Sequence, residues 1–311
     1  MLKRCIVALG VILSAYMLAL TLLNPYGPTI LPIAFITNGE VGKHIEVSFW
    51  RTPEEAVAAI KANKADFYIL PITLGANLYT KGFDLVLLGV HEWKVFYMVG
   101  KNPIKDLRNL KGKTIYCTHT RGTVVDVLLR YFLEQAGLKP DVDVKINYAQ
   151  PNEIVSLFKA GKIEYAALPE PFVTMITSSR TGKVILDFQK EWSKLTGAPE
   201  RIPIAGLFTT KRFIMNHEIE AEYGELALWV STDEMNKRKR EAVDAAIKIL
   251  KMPKNVLIKS LTGMVFYYVP ISRCKKDVET FLELLHERYP KGIQKLPDDS
   301  FYWLEWKVNE E

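Results

Sequence analysis

Thr37-Asn38-Gly39, Pro71 with Thr73, Glu92-Trp93, His119 with Arg121-Gly122-Thr123, and Glu170 are the residues of this chain best suited to holding a small molecule. Hydroxyl and amide groups at turns can donate or accept, and glycine lets a backbone come close to a guest. Arg121 could pair bidentately with a carboxylate, sulfonate or phosphate, and Trp93 could cover one face of a flat molecule. Glu170 stands between Pro169 and Pro171, so its backbone is stiff. No comparable set points to turnover. His91-Glu92 lacks a second histidine at metalloprotease spacing, and there is no nucleophile elbow, Walker loop or dinucleotide fingerprint. The histidines at 44, 91, 119, 217 and 286 are scattered, and the cysteines at 5, 117 and 274 have neither disulfide-framework nor metal-ligand spacing. The expectation is a binding protein with no catalytic residue, metal or cofactor.

These candidates owe their value to the elements that would carry them. Residues 110–116 and 164–172 each read as a parallel strand opening into a turn and a helix, as do 65–73. Open α/β sheets place ligands at such points, because free N–H groups and the positive end of a helix dipole face outward there. Thr52-Pro53-Glu54-Glu55 reads as a helix start. The stretches 56–70 and 153–168 share one plan: a capped helix, a Lys/Gly/Asn stop, then an acidic residue before a strand. Strands are expected at 30–36, 45–49, 67–70, 84–90, 95–99, 114–117, 144–148, 164–168, 184–186 and 207–209, with helices alone after Phe213. The fold class is α/β, in two lobes enclosing a cleft.

Composition permits this. The 311 residues are 49% hydrophobic and 24% charged, which suits a folded globular chain, and the net charge is a modest +6. The densest basic cluster, 237–240, sits beside Asp233, Glu234 and Glu241 and reads as a solvated helix, so no nucleic-acid partner is expected. Lys3 and Arg4 precede an apolar run from Ile6 to Leu23, the pattern of a secretory signal or an uncleaved anchor. Residues 24–28, with two prolines and a glycine, read as the linker that follows.

The order of Leu110-Lys111-Gly112-Lys113-Thr114-Ile115, Arg121-Gly122-Thr123, Gly137-Leu138-Lys139-Pro140-Asp141-Val142-Asp143-Val144 and Leu168-Pro169-Glu170-Pro171-Phe172 resembles the substrate-binding proteins of ABC importers. The similar branch includes nitrate, taurine/alkanesulfonate and thiamine-precursor binders, and Thr52–Val57 and Leu70–Thr73 add to the likeness. The resemblance implies a type II periplasmic-binding fold with lobe 1 at 29–97 and 209–311, lobe 2 at 98–208, and the leader and linker before them. It implies ligand-lining places at the turns 37–39, 71–73, 92–93, 119–123 and 170, whose mixed donors and aromatics favour a small anionic or heteroaromatic molecule. It also implies a membrane permease as partner, a monomer, and an exported, periplasmic or cell-surface location. An enzyme of thiamine-pyrimidine or menaquinone biosynthesis type on the same fold is the alternative. One departure is expected: only about eight residues separate Ile36 from Ile45, which would shorten one cleft wall.

Overall fold

A computed structural model describes residues 19–304. Its strands are β1 (Leu20–Pro25), β2 (Ile45–Trp50), β3 (Phe67–Pro71), β4 (Val86–Lys94), β5 (Phe96–Gly100), β6 (Thr114–Thr118), β7 (Lys145–Ala149), β8 (Tyr165–Pro169), β9 (Lys183–Asp187), β10 (Ala205–Thr209) and β11 (Val265–Pro270). They form two sheets, ordered β11-β4-β10-β3-β1-β2 and β7-β6-β8-β5-β9. Both follow one scheme. β1 and β6 each lie between two parallel neighbours, and an antiparallel strand follows in each sheet, β10 beside β3 and β5 beside β8; the first sheet carries a second, β11, at its edge beside β4. The chain passes from one sheet to the other between β4 and β5, and it returns between β9 and β10. Two similar halves joined by two crossovers make this a two-lobed α/β fold of the type II periplasmic-binding class.

Local chemistry explains why the helices begin where they do. Thr52 Oγ1 accepts the Glu55 N–H at 3.3 Å, Glu55 Oε2 accepts the Arg51 N–H at 2.7 Å, and Pro53 needs no acceptor, so helix 53–61 starts there. Such a cap contributes about 1 kcal/mol. Asp187 accepts the N–H groups of Gln189 and Lys190 and starts helix 188–196, which Gly197 ends at φ +73°.

The N-terminal expectations require correction. Residues 20–25 are a central strand, so they belong to the folded body and not to a leader or linker, while residues 1–18 of the proposed signal or anchor lie outside the described region. The segment read as a strand at 30–36 is a 3-10 turn at 28–30 followed by a helix at 34–37. Ile30, Leu31, Ile33, Ala34 and Phe35 are all buried, and a short continuous apolar run of this kind looks the same in either conformation. Once β1 is placed at 20–25, nineteen residues separate it from β2, and the shortened cleft wall disappears. β11 was also missed, although Val265-Phe266-Tyr267-Tyr268-Val269 has the β-branched and aromatic makeup of a strand. Helix 218–237 is continuous, with its break at Arg238. No described helix is long and apolar enough to cross a membrane. Lys237 and Arg238 are paired to Asp233, Glu40 and neighbouring acids, as the reading of a solvated helix requires.

β10 carries the return crossover and leaves no spare room. A Cβ at Gly206 would lie 2.6 Å from the Gly89 carbonyl oxygen and 2.7 Å from Leu87 Cδ1, in the middle of the first sheet. Backbone cannot yield as a flexible side-chain tip can. Gly206→Ala is therefore expected to destabilise the protein by about 1–3 kcal/mol, measured by urea denaturation; an unchanged midpoint would contradict this packing.

Candidate functional site

The C-terminal ends of β2, β3, β6 and β8 and the start of β5 converge on a cavity of about 360 Å³ between the two sheets. One wall carries Trp50, Pro71, Thr73, Leu74 and Asn77; the facing wall carries Phe96, Thr118, His119, Gly122 and Thr123. Leu285, Tyr289 and Ile293 close a third side. The volume falls in the range of small-molecule sites. Another depression, of about 380 Å³, lies around 104–108 and 191–195, away from the converging strand ends. Four of its charged groups are paired with one another, Arg108 with Asp106 at 2.9 Å and Lys194 with Glu191 at 3.3 Å.

Helices 72–80 and 124–135 start at the cavity from opposite sheets. Neither has a side-chain cap: Pro71 occupies one N-cap, and at the other Thr123 Oγ1 donates to the Thr120 carbonyl at 3.0 Å. Neither Thr73 nor Thr123 caps its helix, because Thr73 lies inside its helix and the Thr123 hydroxyl is used within its own turn. The N–H groups of Val124 and Val125 meet no acceptor among the described residues, and both residues line the cavity. The cavity thus receives donors and positive helix ends from two sides.

The loop 119–123 is held rigidly. The Gly122 N–H donates to Asp126 Oδ2 at 2.8 Å. Asp126, fully buried, also accepts from Arg130 Nε at 2.9 Å and from the Tyr148 hydroxyl at 2.8 Å. Arg130 reaches on to Asp141 at 2.7 Å and holds that carboxyl below the usual aspartate range. His119 has φ +65° and Gly122 φ +89°. A histidine in the left-handed region is strained, and such strain persists where surrounding structure enforces it. Burial lowers the His119 pKa, so the imidazole is uncharged at neutral pH. No lysine, arginine, aspartate or glutamate is among the lining residues.

Of the turn residues singled out in the sequence, Pro71, Thr73, His119, Gly122 and Thr123 come together here. Thr37, Asn38 and Gly39 do not. They end the helix at 34–37 and line a separate surface depression with Glu46 and Ile249, because the strand assumed to precede them does not exist. Arg121 points away from the cavity lining and pairs with Asp141 at 3.3 Å. Glu92 and Trp93 are buried in the last residues of β4, at the crossover. Trp93 Nε1 donates to the Tyr267 carbonyl at 2.9 Å, its ring stacks on Tyr267, and the Arg201 guanidinium lies 4.8 Å from it. Glu170 is buried and accepts the Thr174 N–H and hydroxyl at 2.9 and 3.0 Å, in the first turn of helix 172–178. Burial raises its pKa to about 7. Trp50, Asn77, Phe96 and Tyr289 escaped the sequence reading. The first and third stand at strand ends and were legible as such; Tyr289 comes from the far end of the chain and carried no local signal.

Solved structures share this architecture. An ABC transporter protein from Parabacteroides distasonis is 25% identical with TM-score 0.78, over 92% of this chain and 99% of that one. The periplasmic aliphatic sulphonate binding protein SsuA from Escherichia coli is 15% identical with TM-score 0.74, over 92% and 91%. The periplasmic nitrate-binding protein NrtA from Synechocystis PCC 6803 is 14% identical with TM-score 0.67, over 86% and 81%. Among curated proteins, the nitrate import ATP-binding protein NrtC of Synechocystis sp. is 29% identical over 114 residues, 35% of this chain but only 17% of that protein's length. Residues 44–250, more than half of the chain, match the NMT1-like family, and the protein belongs to that family.

Proposed function

We propose that this protein is the solute-binding component of an ABC importer, exported to the cell envelope, where it captures a small molecule between its lobes and presents it to a membrane permease. The observation that carries this is the cavity itself: strand ends from both sheets and the uncapped starts of two helices line one shared cleft. Closure around a guest would convert differential affinity for the shut state into a signal for transport. The lobes would divide near 95 and 204, where the chain crosses between sheets.

The lining supports a heteroaromatic guest over an anion. Trp50, Phe96 and Tyr289 place aromatic rings in the lining, the helix starts offer N–H donors to ring or carbonyl acceptors, and no lining side chain carries a fixed positive charge. The same lining has no acid–base pair, which supports binding over turnover. Pro71, Thr73, His119, Gly122 and Thr123 are the ligand-binding residues of this reading, with Trp50, Phe96 and Tyr289 added.

A thermal-shift panel of pyrimidines and other neutral heteroaromatics, set against nitrate and alkanesulfonates, tests it. At least one neutral ring compound is expected to raise Tm, with no product appearing on prolonged incubation. Stabilisation by the anions alone would overturn the ligand class, and turnover would overturn the receptor reading.

A further inference from the structure

Tyr289 follows helix 271–288, which packs on β4 and β11 of the first sheet. The chain then turns sharply: the Gly292 N–H returns to the Tyr289 carbonyl at 2.8 Å, Asn77 Nδ2 donates to the Gly292 carbonyl at 2.6 Å, and His286 Nδ1 meets the Ile293 carbonyl at 2.7 Å. The strap 289–293 is thereby fastened to the first-sheet side. Its tyrosine ring crosses to the other side. A Cβ at Gly122 would lie 2.6 Å from both Tyr289 Cε1 and its hydroxyl oxygen, and a Cβ at Gly292 would lie 2.3 Å from Cδ1. The ring therefore occupies a slot that exists only because glycines stand at both positions, one following β6 and one in the strap.

Four further observations give this contact a purpose. Leu285, Tyr289 and Ile293 all line the cavity, so the strap is a wall of the site. The Tyr289 hydroxyl has no hydrogen-bond partner among the described residues. The Gly122 N–H is bonded to the buried Asp126, so the ring closes on a residue tied to helix 124–135. The adjacent Arg288 guanidinium lies 5.5 Å from the Tyr131 ring on helix 124–135, making a second cross-cleft contact.

We propose that Tyr289 is the latch of the cleft, a positioning residue that seats between Gly122 and Gly292 to hold the two halves shut and forms the guest's third wall. This rests on the cavity being the binding site.

Hydrogen-exchange mass spectrometry on the full chain without added ligand tests the latch. Exchange in 119–125 is read against 165–169 as an internal control. Tyr289→Ala and Gly292→Ala are each expected to speed exchange in 119–125 by roughly tenfold while leaving the control segment unchanged. The double variant is expected to match Tyr289→Ala alone, because the added methyl collides only with the ring. Unchanged exchange in both single variants would overturn the proposal, and so would additive effects in the double variant, which would mean that Gly292→Ala acts through the fold. Because no guest is added, a failed thermal-shift panel would sink the solute-binding reading without altering this result.

Discussion

Asp126→Ala is expected to lower the stability of the protein by about 3–5 kcal/mol, the range for breaking a buried ion pair from one side. The carboxylate accepts three hydrogen bonds while fully buried, from Gly122 N, Arg130 Nε and the Tyr148 hydroxyl. Its loss leaves the Arg130 guanidinium, itself only 9% exposed, with Asp141 and Tyr148 alone. It also frees the N–H that fixes the 119–123 loop at the cavity. Asp126→Asn keeps the acceptor and the shape but not the charge, and should cost less. Urea denaturation gives the comparison. If the alanine variant unfolded within about 0.5 kcal/mol of the parent, the network would not be what holds the loop.

The second large effect is one of pH. Glu225, in helix 218–237, is 4% exposed and accepts the Tyr268 hydroxyl at 2.6 Å. Burial raises its pKa from 4.5 to about 8. Below pH 4.5 the group is protonated in folded and unfolded chains alike, and its contribution to stability is fully present. Between 4.5 and 8 only the unfolded chain ionises, so rising pH draws the equilibrium toward unfolding; above 8 the loss is complete. Glu92, raised to about 8, and Glu170, raised to about 7, act in the same direction, again through burial. His91 opposes them. Its pKa is lowered to about 3 by full burial, so it costs stability as pH falls from 6.5 toward 3. Glu225→Gln stays neutral and can still accept from Tyr268. Between pH 6 and 9 the variant should lose about 2–3 kcal/mol less stability than the parent. Parallel pH profiles for the two proteins would contradict the assignment of a protonated Glu225.

Local signals located much of this molecule. The helix start at Thr52 and the strands within the strand-turn units read at 65–73, 110–116 and 164–172 all stand where the sequence placed them. Five of the turn residues consequently meet at the cavity. The failures share a cause. Residues 20–25 continue an apolar run that also suits a leader, and residues 30–36 are buried on all sides, so hydrophobic periodicity could not distinguish strand, helix or signal in either place. The misplacement of 37–39 followed from that single error.

What the amino-acid order determined by itself was the alternation of short strands and helices, since turn chemistry and periodicity act over a few residues, and with it the α/β class. Which strand ends face each other was decided only in three dimensions. The pairing of β10 between β3 and β4 joins residues more than a hundred positions apart, and the arrival of Tyr289 at Gly122 joins the end of the chain to its middle. Contacts of that range leave no mark on neighbouring residues. They arise because each sheet must bury its faces, and the two crossovers between the sheets bring the two sets of strand ends together around one cavity.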